Sequence, residues 1–158
     1  MKTDASAEAG TAEEPGAAAG GQIRVWHLLV LLVLLASPGL ALWRLAPMVN
    51  SPLLVILWVL VSVTTYGLYA LDKARARDAE LRVPEAMLHF AELIGGWPGA
   101  FLAQRRLRHK SRKISYQLVF WLIVAAHVYV ATDYQLGWRL AREGWHAVRP
   151  AAAQAPKP

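Results

Sequence analysis

The stretch RRLRHKSRK, residues 105–113, lies directly before the apolar run ISYQLVFWLIVAAHVYVAT of residues 114–132. Six of its nine residues are lysine or arginine, whereas the apolar run contains no formal charge. A cationic cluster beside a helix of membrane length keeps that end of the helix on the side where positive charge is retained. It also offers a surface to lipid phosphates. The stretch therefore predicts a membrane-spanning helix together with its orientation.

Two further apolar runs precede this one. Residues 25–43 reach roughly 28 Å as a helix, close to the hydrocarbon thickness of a bilayer. Ser37, Pro38 and Gly39 interrupt this run and predict a kink. Residues 53–71 contain no charged residue and follow Asn50 or Ser51 as a cap and Pro52 in the first turn. We therefore predict three transmembrane helices, at 25–43, 53–71 and 114–132.

A cleaved signal peptide is the alternative interpretation of the first run. Small residues within 36–41 resemble a cleavage site. The segment before Arg24 is long and net acidic, which is atypical of a signal peptide and favours an uncleaved anchor.

The segment between the second and third runs, residues 72–113, is strongly basic. It contains ten of the chain's 17 lysines and arginines against five acidic residues, a net charge of +5. Because basic loops remain in the cytoplasm, both flanks of this segment are expected there. The N-terminus is then also inside, whereas the loop 44–51 and the C-terminus are outside.

Residues 85–104, within this segment, are apolar enough to resemble a fourth span. Spanning would separate the two basic flanks and bury Glu85, His89 and Glu92, at a cost of about 2.5 to 3.5 kcal/mol for each charged group. Glycines and a proline at 95–99 break the helix. The sequence favours a hairpin that lies in the interface or re-enters the membrane, and the spanning alternative stays open.

The predicted fold is therefore all-α, a polytopic membrane protein of three transmembrane helices plus a cytoplasmic or re-entrant helical hairpin. Residues 1–22 are predicted to be a disordered tail, 23–133 the membrane domain, and 134–158 an amphipathic segment followed by a disordered tail. The chain is 56% apolar with a net charge of +6. It has no cysteine, which excludes disulfides, thiolate metal sites and cysteine nucleophiles.

Three polar residues, Glu85, His89 and Glu92, recur at offsets that place them on one stripe of a helix. The stripe is interpreted as a solvated face, as a partner of the basic cluster, or as a chemical site. With His109, the residues His89 and Glu92 are the candidates for acid–base catalysis. The ligand set for a metal is incomplete, so we expect no metal and no cofactor.

The positive residues of the opening stretch are the expected anion-binding site. Each contributes about 1 kcal/mol near an anionic leaflet, which gives an upper bound near 6 kcal/mol for six. Topological anchoring alone is the alternative. No aromatic platform interleaves the cluster, so nucleic acid is not an expected partner. The residues are Arg105, Arg106, Arg108, Lys110, Arg112 and Lys113.

Asp72 and Lys73 end the second run, where Tyr66 and Tyr69 are interpreted as interfacial anchors. Asp72 is also a candidate partner for a basic residue of the later cluster. The turn at 95–99 predicts close helix packing. Phosphate binding by this turn is disfavoured, because Walker spacing and a preceding strand are missing.

The motifs YGLYALDKARA (66–76), RVPEAMLHFAELIGGWPGAFLAQ (82–104) and RRLRHKSRKISYQ (105–117) resemble, in order and spacing, the domain-of-unknown-function 1294 family. These are small bacterial inner-membrane proteins, some fused to a cold-shock domain. Residues 1–22 are too short and polar for such a barrel. The resemblance implies no activity. It implies that the positions to test are Asp72, Lys73, Arg82, Pro84, Glu85, Gly95, Gly96, Gly99, His109, Lys110 and Lys113.

Three functions follow as hypotheses. The leading one is a non-enzymatic, multi-pass inner-membrane protein whose basic cytoplasmic face binds anionic phospholipid head groups or a partner protein. The second is a membrane enzyme acting on a phosphate-bearing or lipid substrate. The third is a membrane tether for nucleic acid, suggested by the fused relatives. Homo-oligomerisation is compatible with each of the three.

Overall fold

The computed structural model describes residues 21–49, 51–111 and 113–148, which form helices and connecting turns without a strand. The all-α prediction is confirmed. Residues 1–20 and 149–158 of the predicted tails lie outside the described residues, as do the capping candidate Asn50 and the lipid-binding candidate Arg112. The elements are α1 (Val25–Leu45), α2 (Ser51–Arg77), α3 (Glu85–Ala91), a π turn (Glu92–Gly96), α4 (Trp97–Leu107), α5 (Ile114–Gln135) and α6 (Arg139–Val148).

Helices α1, α2 and α5 are long and apolar enough to cross a membrane. Most of their surface faces away from the protein and is covered by apolar side chains such as Leu32, Val63 and Leu122. Extended apolar surface of this kind is unfavourable in water and suits contact with lipid chains. The structure thus confirms the three predicted membrane-length helices.

All three of these helices extend beyond their predicted bounds. Helix α2 continues to Arg77, beyond the predicted end at Leu71. Charges at residues 72–77 end the apolar run, but alanine, lysine and arginine are strong helix formers, so the helix continues. Helix α5 ends at Gln135 rather than 132, and α1 ends at Leu45 rather than 43. Helix α1 is continuous through Pro38.

The segment Glu85–Leu107 is a hairpin and not a fourth span. The chain enters it at Val83, whose N–H donates to Asp72 of α2 over 3.1 Å, and leaves it at His109, whose Nε2 lies 2.6 Å from the same carboxylate. Because both ends meet at one residue near the end of α2, the spanning alternative is excluded. We call this end of the bundle, where α1 and α5 begin and α2 ends, the basic end.

Glycines allow the hairpin to lie directly on α2. A Cβ on Gly99 would meet the carbonyl oxygen of Ser62 at 1.8 Å, and one on Gly96 would meet the hydroxyl of Thr65 at 1.9 Å. Gly95 has φ +110°, a left-handed conformation that favours glycine. We call the turn at residues 95–99 the tip of the hairpin. Its Gly99 lies against Ser62, which precedes Asp72 by about 15 Å of helical rise, so the tip reaches roughly half-way along a helix of bilayer length.

Polar contacts join the remaining helices away from the basic end. Ser37 of α1 and Thr132 of α5 share a hydroxyl hydrogen bond of 2.7 Å. The buried carboxylate of Asp133 accepts the N–H groups of Leu140 and Ala141 at 2.8 and 3.1 Å. A carboxylate at a helix N-terminus satisfies unpaired N–H groups and complements the helix dipole. Asp133 thereby ties α6 to the end of α5, and α6 lies within the segment that is predicted to be amphipathic.

Candidate functional site

Asp72 is the centre of an ion-pair cluster at the basic end. Its side chain is fully buried, and its carboxylate accepts a hydrogen bond from the backbone N–H of Val83. The same carboxylate pairs with His109 and lies 3.7 Å from Lys110 Nζ and 3.8 Å from Arg82 Nε. A buried carboxylate is costly unless it is paired and hydrogen-bonded, and this one has both kinds of partner. The prediction that Asp72 pairs with a residue of the basic cluster is confirmed.

Glu85 completes the cluster from the first turn of α3. Its carboxylate accepts from Lys110 Nζ at 2.7 Å and from Lys113 Nζ at 2.7 and 2.9 Å. These two ammonium groups lower the pKa of Glu85 to about 2. Two lysines of the expected anion-binding site are therefore paired with a carboxylate, and the interpretation of Glu85 as a partner of the basic cluster is confirmed. We call this set the Asp72 cluster; its members are Asp72, Arg82, Glu85, His109, Lys110 and Lys113.

A second cluster is built around Glu92, which opens the π turn. Glu92 has no exposed surface, and its Oε1 accepts hydrogen bonds from the hydroxyls of Tyr69 on α2 and Tyr116 on α5, the latter at 3.0 Å. Its Oε2 lies 2.7 Å from Nδ1 of His89, whose ring stacks on Tyr116 with centroids 4.1 Å apart. The interpretation of the stripe as a solvated face is thus wrong for Glu92.

Two glutamines extend this second cluster between helices. Gln104 of α4 donates to the Tyr69 hydroxyl at 3.0 Å, and Gln117 of α5 donates to the side-chain oxygen of Gln104 at 2.8 Å. Gln117 also donates to the backbone oxygen of Lys110 at 3.1 Å, which connects the two clusters. The Glu92 cluster consists of Tyr69, His89, Glu92, Gln104, Tyr116 and Gln117.

The sequence identified His89 and Glu92 as candidate site residues but did not predict their partners from other helices. Tyr69 was assigned to the membrane interface, whereas its side chain is fully buried. Tyr116 and Gln104 were not identified as candidates, because their partners come from other helices. The one available signal was the presence of polar Gln117 within an apolar span, which predicts contact with another helix.

The catalytic candidates fall into separate clusters. His89 and Glu92 form a direct pair, in which the side chain of His89 is 18% exposed. His109 instead pairs with Asp72. A carboxylate that holds Nδ1 of an imidazole orients its second nitrogen for proton transfer. Within the described ranges, no three His, Asp or Glu side chains are grouped so that they hold a metal ion.

The arginines at the end of α4 differ in accessibility. Arg105 is half-buried, its guanidinium carbon lies 3.4 Å from the centre of the Phe101 ring, and burial lowers the pKa of Arg105 to about 10. Arg105 therefore remains charged at neutral pH. Arg106 and Arg108 are exposed, and Arg106 Nη1 donates to the backbone of Gly21 at 2.9 Å.

The remaining predicted positions serve the geometry of the hairpin. Lys73 Nζ donates to the carbonyl oxygen of Leu107 at 2.7 Å and ties the end of α4 to α2. Pro84 precedes the first residue of α3, and its carbonyl accepts from Met87 at 3.0 Å. The turn at 95–99 packs closely on α2, as predicted. Trp58 of α2 also donates to the carbonyl of Gly95 at 2.9 Å.

The segment that carries both clusters matches a known protein family. No curated protein and no solved structure matches the chain. Residues 62–116, which include every member of the two clusters except Gln117, match the model of a family described as protein of unknown function (DUF1294), and this match confirms the resemblance of the motifs.

Proposed function

We propose that this chain is a multi-pass protein of the bacterial inner membrane whose basic end faces the cytoplasm and binds anionic phospholipid head groups. One observation carries the proposal. Exposed or half-buried arginines converge at the ends of membrane-length helices, and within the described residues no carboxylate lies within ion-pair distance of them. They are Arg75, Arg77, Arg105, Arg106 and Arg108.

The hairpin brings these arginines onto one surface. The end of α4 is held against the end of α2 by the bond between Lys73 and Leu107. Residue Gly21, ahead of α1, bonds to Arg106 through both its N–H, at 2.7 Å, and its carbonyl. Three chain segments thus meet at the basic end, where phosphate groups of a leaflet surround the helix ends.

The Asp72 cluster narrows the set of lipid-binding residues. Lys110 and Lys113 are engaged by Glu85 and Asp72, so they contribute little free charge. The surface that binds lipid head groups is then supplied by four arginines, Arg75, Arg77, Arg106 and Arg108. At about 1 kcal/mol each, four arginines provide at most about 4 kcal/mol toward an anionic leaflet.

Charge also supports the orientation. The basic end holds most of the cations of the segment 72–113, whereas the opposite end carries few, among them Arg44, Arg139 and Arg142. Positive charge close to span ends is retained in the cytoplasm. The basic end is therefore assigned to the cytoplasmic side.

The test uses the full-length protein in mild detergent, titrated with phosphatidylglycerol or phosphatidylcholine while thermal unfolding is followed. We expect phosphatidylglycerol to stabilise the wild type more than phosphatidylcholine does, with an advantage that shrinks as salt increases. The variant R75Q/R77Q/R106Q/R108Q loses the advantage. The matched control R139Q/R142Q, at the opposite end, keeps it.

An equal response of all three proteins to the two lipids would refute lipid recognition. Salt-sensitive retention of an acidic protein by the wild type but not by the quadruple variant, without a lipid effect, would assign the surface to a partner protein.

A second candidate function has one specific observation in its favour. The pair of His89 and Glu92 is buried on the carboxylate side and partly open on the imidazole side, as an acid–base pair requires. This pair would serve a membrane enzyme acting on a phosphate-bearing lipid. H89Q should then abolish a cellular phenotype without lowering membrane abundance, whereas a parallel fall in abundance would make the pair structural.

A further inference from the structure

Helix α6 has a charged side and an apolar side. At about 100° per residue, its ionisable residues fall within an arc of about 100°. They are Arg139, Arg142, Glu143 and His146. The opposite side carries Leu140, Ala141 and Gly144, which are all exposed. Arginines on one side of a helix and apolar residues on the other are typical of helices that lie in a membrane interface.

The turn before α6 prevents it from continuing the axis of α5. Gly137 has φ +65°, and its N–H donates to the carbonyl of Tyr134 at 3.1 Å. The N–H of Trp138 donates to the carbonyl of Asp133 at 2.8 Å. This pair of hydrogen bonds is the Schellman motif, which ends a helix and redirects the chain. The carboxylate of Asp133 then holds the first turn of α6, so α6 starts at the level where α5 ends.

The start of α6 adjoins the apolar surface of the membrane-length helices. Trp138 lines an open apolar groove together with Leu42 and Leu45 of α1. Its ring packs edge-on against that of Tyr134, with centroids 6.2 Å apart. Tryptophan and tyrosine are typical of the boundary between lipid and water. The apolar surface that suits lipid therefore continues to the residue from which α6 begins.

The size and charge of α6 favour lipid over a protein as its partner. Its ten residues make a helix about 15 Å long, and a side about 10 Å wide offers roughly 150 Å². A stable protein interface buries about 800 Å² on each partner. Arg139 pairs with Glu143 at 3.7 Å, so the charged side has little net charge and its interaction with lipid does not require anionic head groups.

We propose that α6 lies in the lipid interface at the end of the bundle opposite the basic end. Its apolar side contacts the outermost acyl carbons, and its charged side faces water. This surface is separate from the arginines of the basic end. The proposal does not depend on which side of the membrane is cytoplasmic, because it concerns only the depth and rotation of α6.

The test reads the surroundings of nitroxide labels on single cysteines of the full-length protein in phosphatidylcholine nanodiscs. A141C and G144C place the label on the apolar side, and E143C and H146C are the matched controls on the charged side. Among the described residues outside its own turn of helix, no atom lies within 4 Å of a Cβ added at Gly144. Power saturation compares collisions of each label with oxygen, which enters lipid, and with a water-soluble nickel chelate.

The apolar side of an interfacial helix is buried about 5 to 10 Å into the boundary with the acyl chains, so the ratio of oxygen to nickel collisions should be at least about threefold higher at positions 141 and 144 than at 143 and 146. Equal ratios at the four positions would show that α6 lies in water. Low collision rates with both reagents at 141 and 144 would show that a protein surface covers them. Either result would overturn the proposal.

A second comparison tests whether apolar contact holds α6 in place. In the A141C background, G144D puts a carboxylate on the apolar side, and aspartate is a better helix former than glycine. G144D should therefore lower the collision ratio at position 141 to the value found at 143, while circular dichroism shows that the protein stays folded. H146D adds the same charge to the charged side and should leave the ratio unchanged. Equal effects of the two substitutions would overturn the proposal.

Discussion

Replacement of Gly99 by alanine tests the close contact between the hairpin and α2. The added Cβ would lie 1.8 Å from the backbone oxygen of Ser62, whereas ordinary contacts begin at 3.4 Å. The two helices must therefore separate locally by about 1.6 Å, the difference between these distances. Overpacking costs about 1 to 3 kcal/mol, and an immovable backbone obstacle places G99A at the upper end.

Helix propensity opposes this cost and sets the net effect. Alanine is favoured over glycine in a helix by about 1 kcal/mol, so we expect G99A to lose about 2 kcal/mol of unfolding free energy. Gly67 of α2 provides the matched control, because no atom lies within 4 Å of a Cβ added there. G67A is expected to be neutral or stabilising by up to about 1 kcal/mol.

Equilibrium unfolding in mixed micelles, followed by circular dichroism, measures both variants. The expected difference in unfolding free energy between G99A and G67A is about 2 to 3 kcal/mol, the loss in G99A plus any gain in G67A. A G99A protein as stable as G67A would show that the hairpin does not lie against α2, and would refute the packing of the re-entrant segment.

Two further predictions concern the clusters. The pKa of Glu85 is lowered to about 2, so its contribution to stability is complete above the unfolded pKa near 4.5 and is lost as the pH falls toward 2. E85Q should remove this part of the acid dependence of thermal unfolding, and an unchanged acid profile would contradict the pairing with Lys110 and Lys113. Y116F removes a hydroxyl that donates to buried Glu92 and should lower the unfolding free energy by about 1 to 2 kcal/mol. Y129F, which alters an exposed ring, should change it by less than about 0.5 kcal/mol, and equal effects of the two variants would contradict the buried cluster.

Local pattern in the sequence was sufficient for the main features of the fold. Charge-free runs of membrane length predicted α1, α2 and α5, because bilayer thickness imposes that length directly. The glycine turn at 95–99, between two basic flanks, predicted the hairpin. Charge placement also made Asp72 a candidate partner of the later cluster, and its contact with His109 bears this out.

The Glu92 cluster was beyond the reach of such patterns. Its members come from α2, the hairpin and α5, and their meeting depends on how three helices pack. Helical periodicity gives one face of one helix and does not say which face of a neighbour it meets. For Lys110 and Lys113, charge alone left open both binding to lipid and pairing with the stripe that begins at Glu85, and the structure shows the pairing with Glu85.

The most direct test of the re-entrant hairpin is cysteine accessibility. The chain has no native cysteine, so single substitutions report one position each. D78C, R108C and M48C all alter exposed positions, and each is treated with a membrane-impermeant thiol reagent in right-side-out and inverted vesicles. We expect positions 78 and 108 to react only in inverted vesicles and position 48 only in right-side-out vesicles. Labelling of 78 and 108 from opposite sides would show that the segment between them crosses the membrane, and would contradict the hairpin.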